Sequence, residues 1–298
     1  MKQKSKSSFR GVFVALVTPM KANGEIDFNN LKKQVDAMIA AGIHGLIPLG
    51  STGEFYALTN EERRAVIQAT LAAADGRIPV VVGANASSTR EVIAFSREAE
   101  ALGSAGVMLA APYYSLPTPE ELFAHFKAVN DAIHIPIMLY NYPGRTGVDM
   151  SPEFIGRLAG LKNVRYVKES TGDITRISAL LRTCGERIGV FCGGDGVAFE
   201  SLALGAIGWV GGVANVAPRQ HVELYRLIAE RQDYAAARKL YFKMLPLLSL
   251  MEGGGKYTQW VKAACGLVGR PAGAPRAPLQ AATVAELREL KKALLALK

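Results

Sequence analysis

Short runs of β-branched and other apolar residues alternate along the chain with longer stretches in which apolar residues recur every three or four positions. The short runs read as strands at 11–17 (GVFVALV), 45–49 (GLIPL), 79–83 (PVVVG), 106–110 (GVMLA), 136–141 (PIMLYN), 163–168 (NVRYVK), 188–192 (IGVFC) and 206–210 (AIGWV). Between them the longer period predicts helices at about 27–41, 59–74, 88–102, 118–132, 151–160, 173–183 and 196–204. Thr59 can cap the second helix while Glu62, three residues on, returns the bond. Gly42, Gly103 and Gly185 stand just past helical segments, where a left-handed residue closes the last turn. Strands that are apolar throughout are those of a parallel sheet covered on both faces. Eight of them, each followed by a helix, predict an α/β fold, a (β/α)8 TIM barrel over residues 9–220, with an open doubly wound sheet as the alternative. Further helical patterns at 219–231, 234–250, 256–268 and 282–297, separated by EGGG and by the Pro/Ala/Gly-rich stretch 270–279, predict a C-terminal helical appendage over 221–298.

Composition narrows the classes. At 298 residues and 49% hydrophobic, the chain can bury the core of one large barrel. Of its net charge of +9, Lys2, Lys4, Lys6 and Arg10 supply four, leaving +5 for the body, a bias toward anionic ligands and not a nucleic-acid footprint. Residues 1–8, MKQKSKSS, have no apolar run behind them and are expected to form a disordered basic tail, not a signal peptide. No apolar run approaches the roughly 18 residues of a membrane span. Cys184, Cys192 and Cys265 are odd in number and lack a CxxC, which predicts buried, reduced thiols in a cytoplasmic protein. His44, His125, His134 and His221 have no ligand spacing, so neither a metal site nor a cofactor is expected.

Barrel enzymes place their chemistry at the C-terminal ends of the strands. Lys168 is the one lysine that ends a predicted barrel strand, and alternation puts it with Val164 and Tyr166 on the face toward the barrel mouth, while Glu169 faces away in a structural role. Burial there would push its pKa down from about 10.4, since a low dielectric disfavours the charged form. A neutral amine attacks carbonyls, and the resulting Schiff base is an electron sink for making or breaking the adjacent carbon–carbon bond. Such chemistry needs proton carriers. Ser51 and Thr52 follow the second strand, Tyr113 and Tyr114 the fourth, and Tyr140 and Arg145 lie at and just after the end of the fifth.

Together GSTGE (50–54), PYY (112–114), YNYPGRTG (140–147), YVKEST (166–171) and GGDG (193–196) resemble the dihydrodipicolinate synthase and N-acetylneuraminate lyase family of pyruvate-dependent class I aldolases, over about residues 10–298. The resemblance implies that Lys168 forms a Schiff base with pyruvate and that Tyr140 shuttles protons through the Ser51 hydroxyl to Tyr114 of a neighbouring subunit. It further implies that the Ser51 and Thr52 amides hold the pyruvate carboxylate, that Gly193 and the Val210 carbonyl approach the substrate closely, and that the protein is a homotetramer, a dimer of dimers. For the aldehyde partner the motifs divide. Ser51-Thr52 is common among sialic-acid lyases and sugar-acid aldolases, whereas Arg145 in RTG matches the synthases, in which a guanidinium clamps the carboxylate of aspartate semialdehyde. The expected function is condensation of pyruvate with L-aspartate-4-semialdehyde, with a 2-keto-3-deoxy sugar-acid aldolase or dehydratase, or an N-acetylneuraminate lyase-like enzyme, as the runner-up. Other readings are a phosphosugar enzyme, which Asp195 in GGDG disfavours by repelling phosphate, and a non-catalytic ligand-sensing barrel, which would not need an intact relay.

Overall fold

The structure is a computed structural model that describes residues 9–297; the predicted basic tail at 1–8 lies outside them. Eight parallel strands occur in chain order: β1 Gly11–Ala15, β2 Gly45–Ile47, β3 Val81–Gly83, β4 Gly106–Ala110, β5 Ile137–Asn141, β6 Val164–Glu169, β7 Gly189–Cys192 and β8 Gly208–Gly211. Hydrogen bonding runs β2-β1-β8-β7-β6-β5-β4-β3. The ring closes between β2 and β3, where Leu46 bridges to Val80 and the Gly83 amide donates to the Pro48 carbonyl at 3.0 Å. This is a (β/α)8 TIM barrel.

The expected helices surround it: α1 Phe28–Ala40, α2 Asn60–Ala74, α3 Thr89–Ala101, α4 Pro119–Ala132, then a short turn of helix, α5 Pro143–Thr146, which the pattern did not predict. After it come α6 Pro152–Leu158, α7 Ile174–Cys184 and α8 Ala198–Ala203. Thr59 and Glu62 form the expected capping box on α2, and Gly42, Gly103 and Gly185 all have positive φ. Past β8 lie α9 Pro218–Tyr225, continued by a π-helical turn at Arg226–Glu230, then α10 Tyr234–Gly253, α11 Tyr257–Leu267 and α12 Val284–Leu295. Among the described residues no helix is long and apolar enough to cross a membrane.

Two apolar layers follow from the strand period. Outward side chains such as Val12, Val14, Val82, Leu109 and Val167 pack beneath the helices. Inward ones, including Phe13, Ile47, Val81, Met108, Met138 and Phe191, fill the barrel. Phe9 closes the lower end, stacked on Tyr166 with ring centroids 4.7 Å apart and donating its amide to the Tyr166 hydroxyl at 3.0 Å. Tyr166 and Lys168 face inward as expected, but Val164 does not. A register shift between Ile137 and Met138 pairs Ile137 with Val164 and Met138 with Tyr166, skipping Arg165, and the slip turns Val164 into the outer layer.

Candidate active site

At the C-terminal end of the strands opens a cavity of about 680 Å³. Seven of the eight predicted site residues line it: Ser51, Thr52, Tyr140, Arg145, Lys168, Gly193 and Val210. The eighth, Tyr114, stands 95% exposed, with φ +76°. Within one chain it does not reach the cavity.

Lys168 is one step above the aromatic floor set by Tyr166. It is 6% exposed, and its Nζ lies 4.2 Å from the centroid of the Tyr140 ring on the paired strand β5. None of the ion pairs among the described residues includes it, which leaves the amine available to a ligand. Behind it Glu169 points out of the barrel, as expected, accepting from the Asn141 amide nitrogen at 3.0 Å and from the Thr171 backbone at 2.8 Å, and so fixes the exit of β6. A Cβ on Gly193 would lie 2.8 Å from Cγ of Lys168 and 1.8 Å from Oγ of Ser170, so only a bare residue fits against this strand end.

Ser51 and Thr52 belong to a turn held from three sides. Gly53 is wedged so tightly that a Cβ would meet the Leu16 carbonyl at 2.9 Å. Glu54, at φ +57°, is fully buried; it accepts from Nζ of Lys262 in α11 at 2.6 Å and from the Arg276 amide at 2.8 Å, while Lys262 also donates to the Thr18 carbonyl at 3.1 Å. The C-terminal helices therefore clamp the turn that presents Ser51 and Thr52. Arg145, on the rim in α5, lies 5.5 Å from the Tyr142 ring centroid and belongs to none of the ion pairs among the described residues.

The appendage also supplies part of the cavity wall, which the sequence pattern concealed. EGGG reads as a break between helices, yet α10 continues to Gly253 and carries Glu252 into the wall. Its Oε1 accepts the Asp195 amide at 2.5 Å and its Oε2 the Gly196 amide at 2.8 Å. The amides after β7 that could have held a phosphate are thus occupied by the protein's own carboxylate. Asp195 lies beneath, accepting from Nε1 of Trp209 at 2.9 Å and from the Tyr257 hydroxyl, which also accepts the Gly212 amide at 2.9 Å. Burial, and then the like charge of Glu252, push Asp195 up to about 7. Burial raises Glu252 as well, against the pull of its two backbone donors. Ser170, which alternation from Lys168 could have found, also lines the cavity.

With this geometry, the sequence comparisons decide the family. The profile of the Dihydrodipicolinate synthetase family matches residues 8–297. The chain belongs to the dihydrodipicolinate synthetase family. Among relatives, the 4-hydroxy-tetrahydrodipicolinate synthase of Afipia carboxidovorans is 44% identical over 82% of this chain and 81% of its own length, and that of Pelobacter propionicus 39% identical over 95% and 98%. Solved structures of the family superpose closely. The dihydrodipicolinate synthase of Aquifex aeolicus has a TM-score of 0.92 at 33% identity, covering 96% of this chain and 97% of its own. The chloride-inhibited dihydrodipicolinate synthase of Acinetobacter baumannii, complexed with pyruvate, has a TM-score of 0.92 at 34% identity, covering 97% and 99%.

Proposed function

We propose that this protein is a class I pyruvate-dependent lyase, a 4-hydroxy-tetrahydrodipicolinate synthase that condenses pyruvate with L-aspartate-4-semialdehyde. One observation carries the reading: a buried amine, Lys168, in no ion pair among the described residues and beside Tyr140 at the mouth of a barrel of this family. Lys168 attacks C2 of pyruvate, and the carbinolamine loses its hydroxyl as water to give the Schiff base. Loss of a proton from C3 gives the enamine, which attacks the aldehyde carbon. The amino group of the acceptor then adds to C2 and displaces Lys168, so the net products are the cyclic adduct and one water. Tyr140 and Ser51 carry the protons, the Ser51 and Thr52 amides hold the pyruvate carboxylate, Gly193 and the Val210 carbonyl border the reacting carbons, and Arg145 receives the carboxylate of the aldehyde.

The exposure of Tyr114 supports its role as the far end of the relay in a neighbouring subunit, and hence a homotetramer built of dimers. Three buried cysteines, all free, fit a reducing compartment, the cytoplasm. Occupation of the Asp195 and Gly196 amides by Glu252 speaks against a phosphosugar substrate. Ser51-Thr52 favours a sugar-acid aldolase as the second reading. The two separate in a panel assay: pyruvate-dependent consumption of aspartate semialdehyde, without cleavage of 2-keto-3-deoxy acids or sialic acid, is the expected result. The reverse pattern replaces the synthase by the aldolase.

A further inference from the structure

Behind Tyr140 and Lys168, which face into the barrel, the same two strands carry a second pair that faces the helices. β5 and β6 pair Tyr140 with Lys168 and, one residue on, Asn141 with Glu169. Both members of this outer pair are buried. A buried amide or carboxylate is costly unless its hydrogen bonds are made, so the partners of the pair say what it is for. Nδ2 of Asn141 donates to Oε2 of Glu169 and to Oδ1 of Asp149, each at 3.0 Å, and its Oδ1 accepts the Met150 amide at 3.0 Å.

Asp149 and Met150 lie where the chain returns to the barrel after α5. The chain leaves the barrel at Asn141, turns through α5 with Arg145 on it, and meets the Asn141 side chain again at Asp149, eight residues later. One amide thus closes the base of the loop that carries Arg145. Arg176 of α7 locks that closure from outside. Its Nη1 and Nη2 grip the two carboxylate oxygens of Asp149 at 3.0 and 2.9 Å, Nη2 also donates to the Met150 carbonyl at 2.6 Å, and Nε reaches Oε2 of Glu169 at 3.4 Å. A two-pronged guanidinium–carboxylate contact fixes orientation as well as distance. Further out, the Thr146 hydroxyl bonds to the Tyr142 and Val148 carbonyls, which ties the loop only to itself. Arg145 belongs to no ion pair among the described residues, so its guanidinium goes where the loop takes it.

We propose that Asn141, Asp149 and Arg176 are positioning residues for the second substrate: their knot, anchored on Glu169 directly after Lys168, sets the place of Arg145 relative to the nucleophile. The proposal rests on the reading of Arg145 as the receiver of the aldehyde's carboxylate. It adds the device that holds that cation at a fixed reach from the Schiff base. Pyruvate, held at the strand ends themselves, does not depend on it.

A double-mutant cycle on the full-length protein tests this. Asp149 is half-exposed, so Asp149→Ala opens the base of the loop without emptying the interior. In this variant kcat/KM for L-aspartate-4-semialdehyde falls about 10–100-fold, the scale on which a displaced positioning group is felt. The KM for pyruvate and the extent of borohydride trapping on Lys168 stay within about twofold. Asn141→Ala, which removes the buried centre of the knot, shows the same selective loss together with a lower unfolding midpoint. In an Arg145→Ala background, Asp149→Ala costs less than about a further twofold, because the loop then has no cation to place. A purely structural role gives different results: the same fractional loss in both backgrounds, or a loss for pyruvate as large as that for the aldehyde, and either overturns the proposal. So does a normal kcat/KM for the aldehyde in Asp149→Ala when Arg145→Ala has lost it. If Arg145→Ala itself leaves kcat/KM for aspartate semialdehyde unchanged, the reading of Arg145 falls and takes the proposal with it.

Discussion

Tyr140 shows how one residue's position carries the argument. Its ring covers Nζ of Lys168 at 4.2 Å, and its backbone pairs with that of Lys168 across β5 and β6, so ring and amine are fixed to rigid elements. Replacing Tyr140 with Phe keeps the packing and removes the hydroxyl proposed to carry protons. Turnover should drop roughly 10²–10⁴-fold with an unchanged unfolding midpoint; a rate within a few-fold of the original would remove Tyr140 from the relay. Asp195 carries a different signature. Burial and the like charge of Glu252 raise its pKa above the usual 3.8, and Glu252 is raised with it, so the folded state holds more protons than the unfolded one and the pair's contribution to stability is lost as pH rises from about 4 toward neutrality. His125 and His221, lowered by burial to about 4, act in the opposite sense below pH 6.5, so the comparison must be with Asp195→Asn. Urea midpoints taken across this range should show the original protein losing ground to the variant up to about pH 7, with a constant difference above it. A constant difference throughout would refute the raised carboxyl.

At the level of elements, the strands were legible because a barrel strand is apolar on both faces. All eight begin and end within two residues of the runs that predicted them, and the two-residue differences fall at β1, β2, β3 and β8, where the apolar run outlasts the pairing or starts before it. Val164 was misplaced because alternation presumes an unbroken ladder, and a register shift leaves no mark in hydropathy. Glu252 and Tyr257 were missed for another reason: they reach the site from helices distant in sequence, and helical periodicity says which face is buried without saying against what. The Lys262–Glu54 pair has the same origin. Both side chains are completely buried, and together they tie α11 to the turn bearing Ser51 and Thr52. Lys262→Met should cost about 3–5 kcal/mol by stranding the Glu54 charge, and should raise the KM for pyruvate as the turn loosens. Adding Glu54→Gln should restore most of the stability; additive losses in denaturant titrations would show that the two residues do not act as a pair.

For the whole molecule, one predicted site residue stands apart from the cavity of its own chain. Seven of the predicted residues converge on the cavity, while Tyr114 projects from the surface in a left-handed backbone conformation. The role proposed for it in a neighbouring subunit predicts complementation. Tyr114→Phe and Lys168→Arg chains should each be nearly inactive, yet mixed and allowed to exchange subunits they should regain activity. A site that keeps its own Lys168 then receives Tyr114 from the other chain. Failure to recover, with hybrid assemblies demonstrated by native mass spectrometry, would place Tyr114 outside the relay.

The central claim is that Lys168 is the nucleophile, and trapping tests it most directly. Treating the protein with pyruvate and borohydride should add one reduced pyruvyl group per chain, found by peptide mapping on Lys168, and Lys168→Arg should take up none, because a guanidinium stays protonated and cannot attack. A label on any other lysine, or turnover of pyruvate by a protein that borohydride leaves unmodified, would contradict the account.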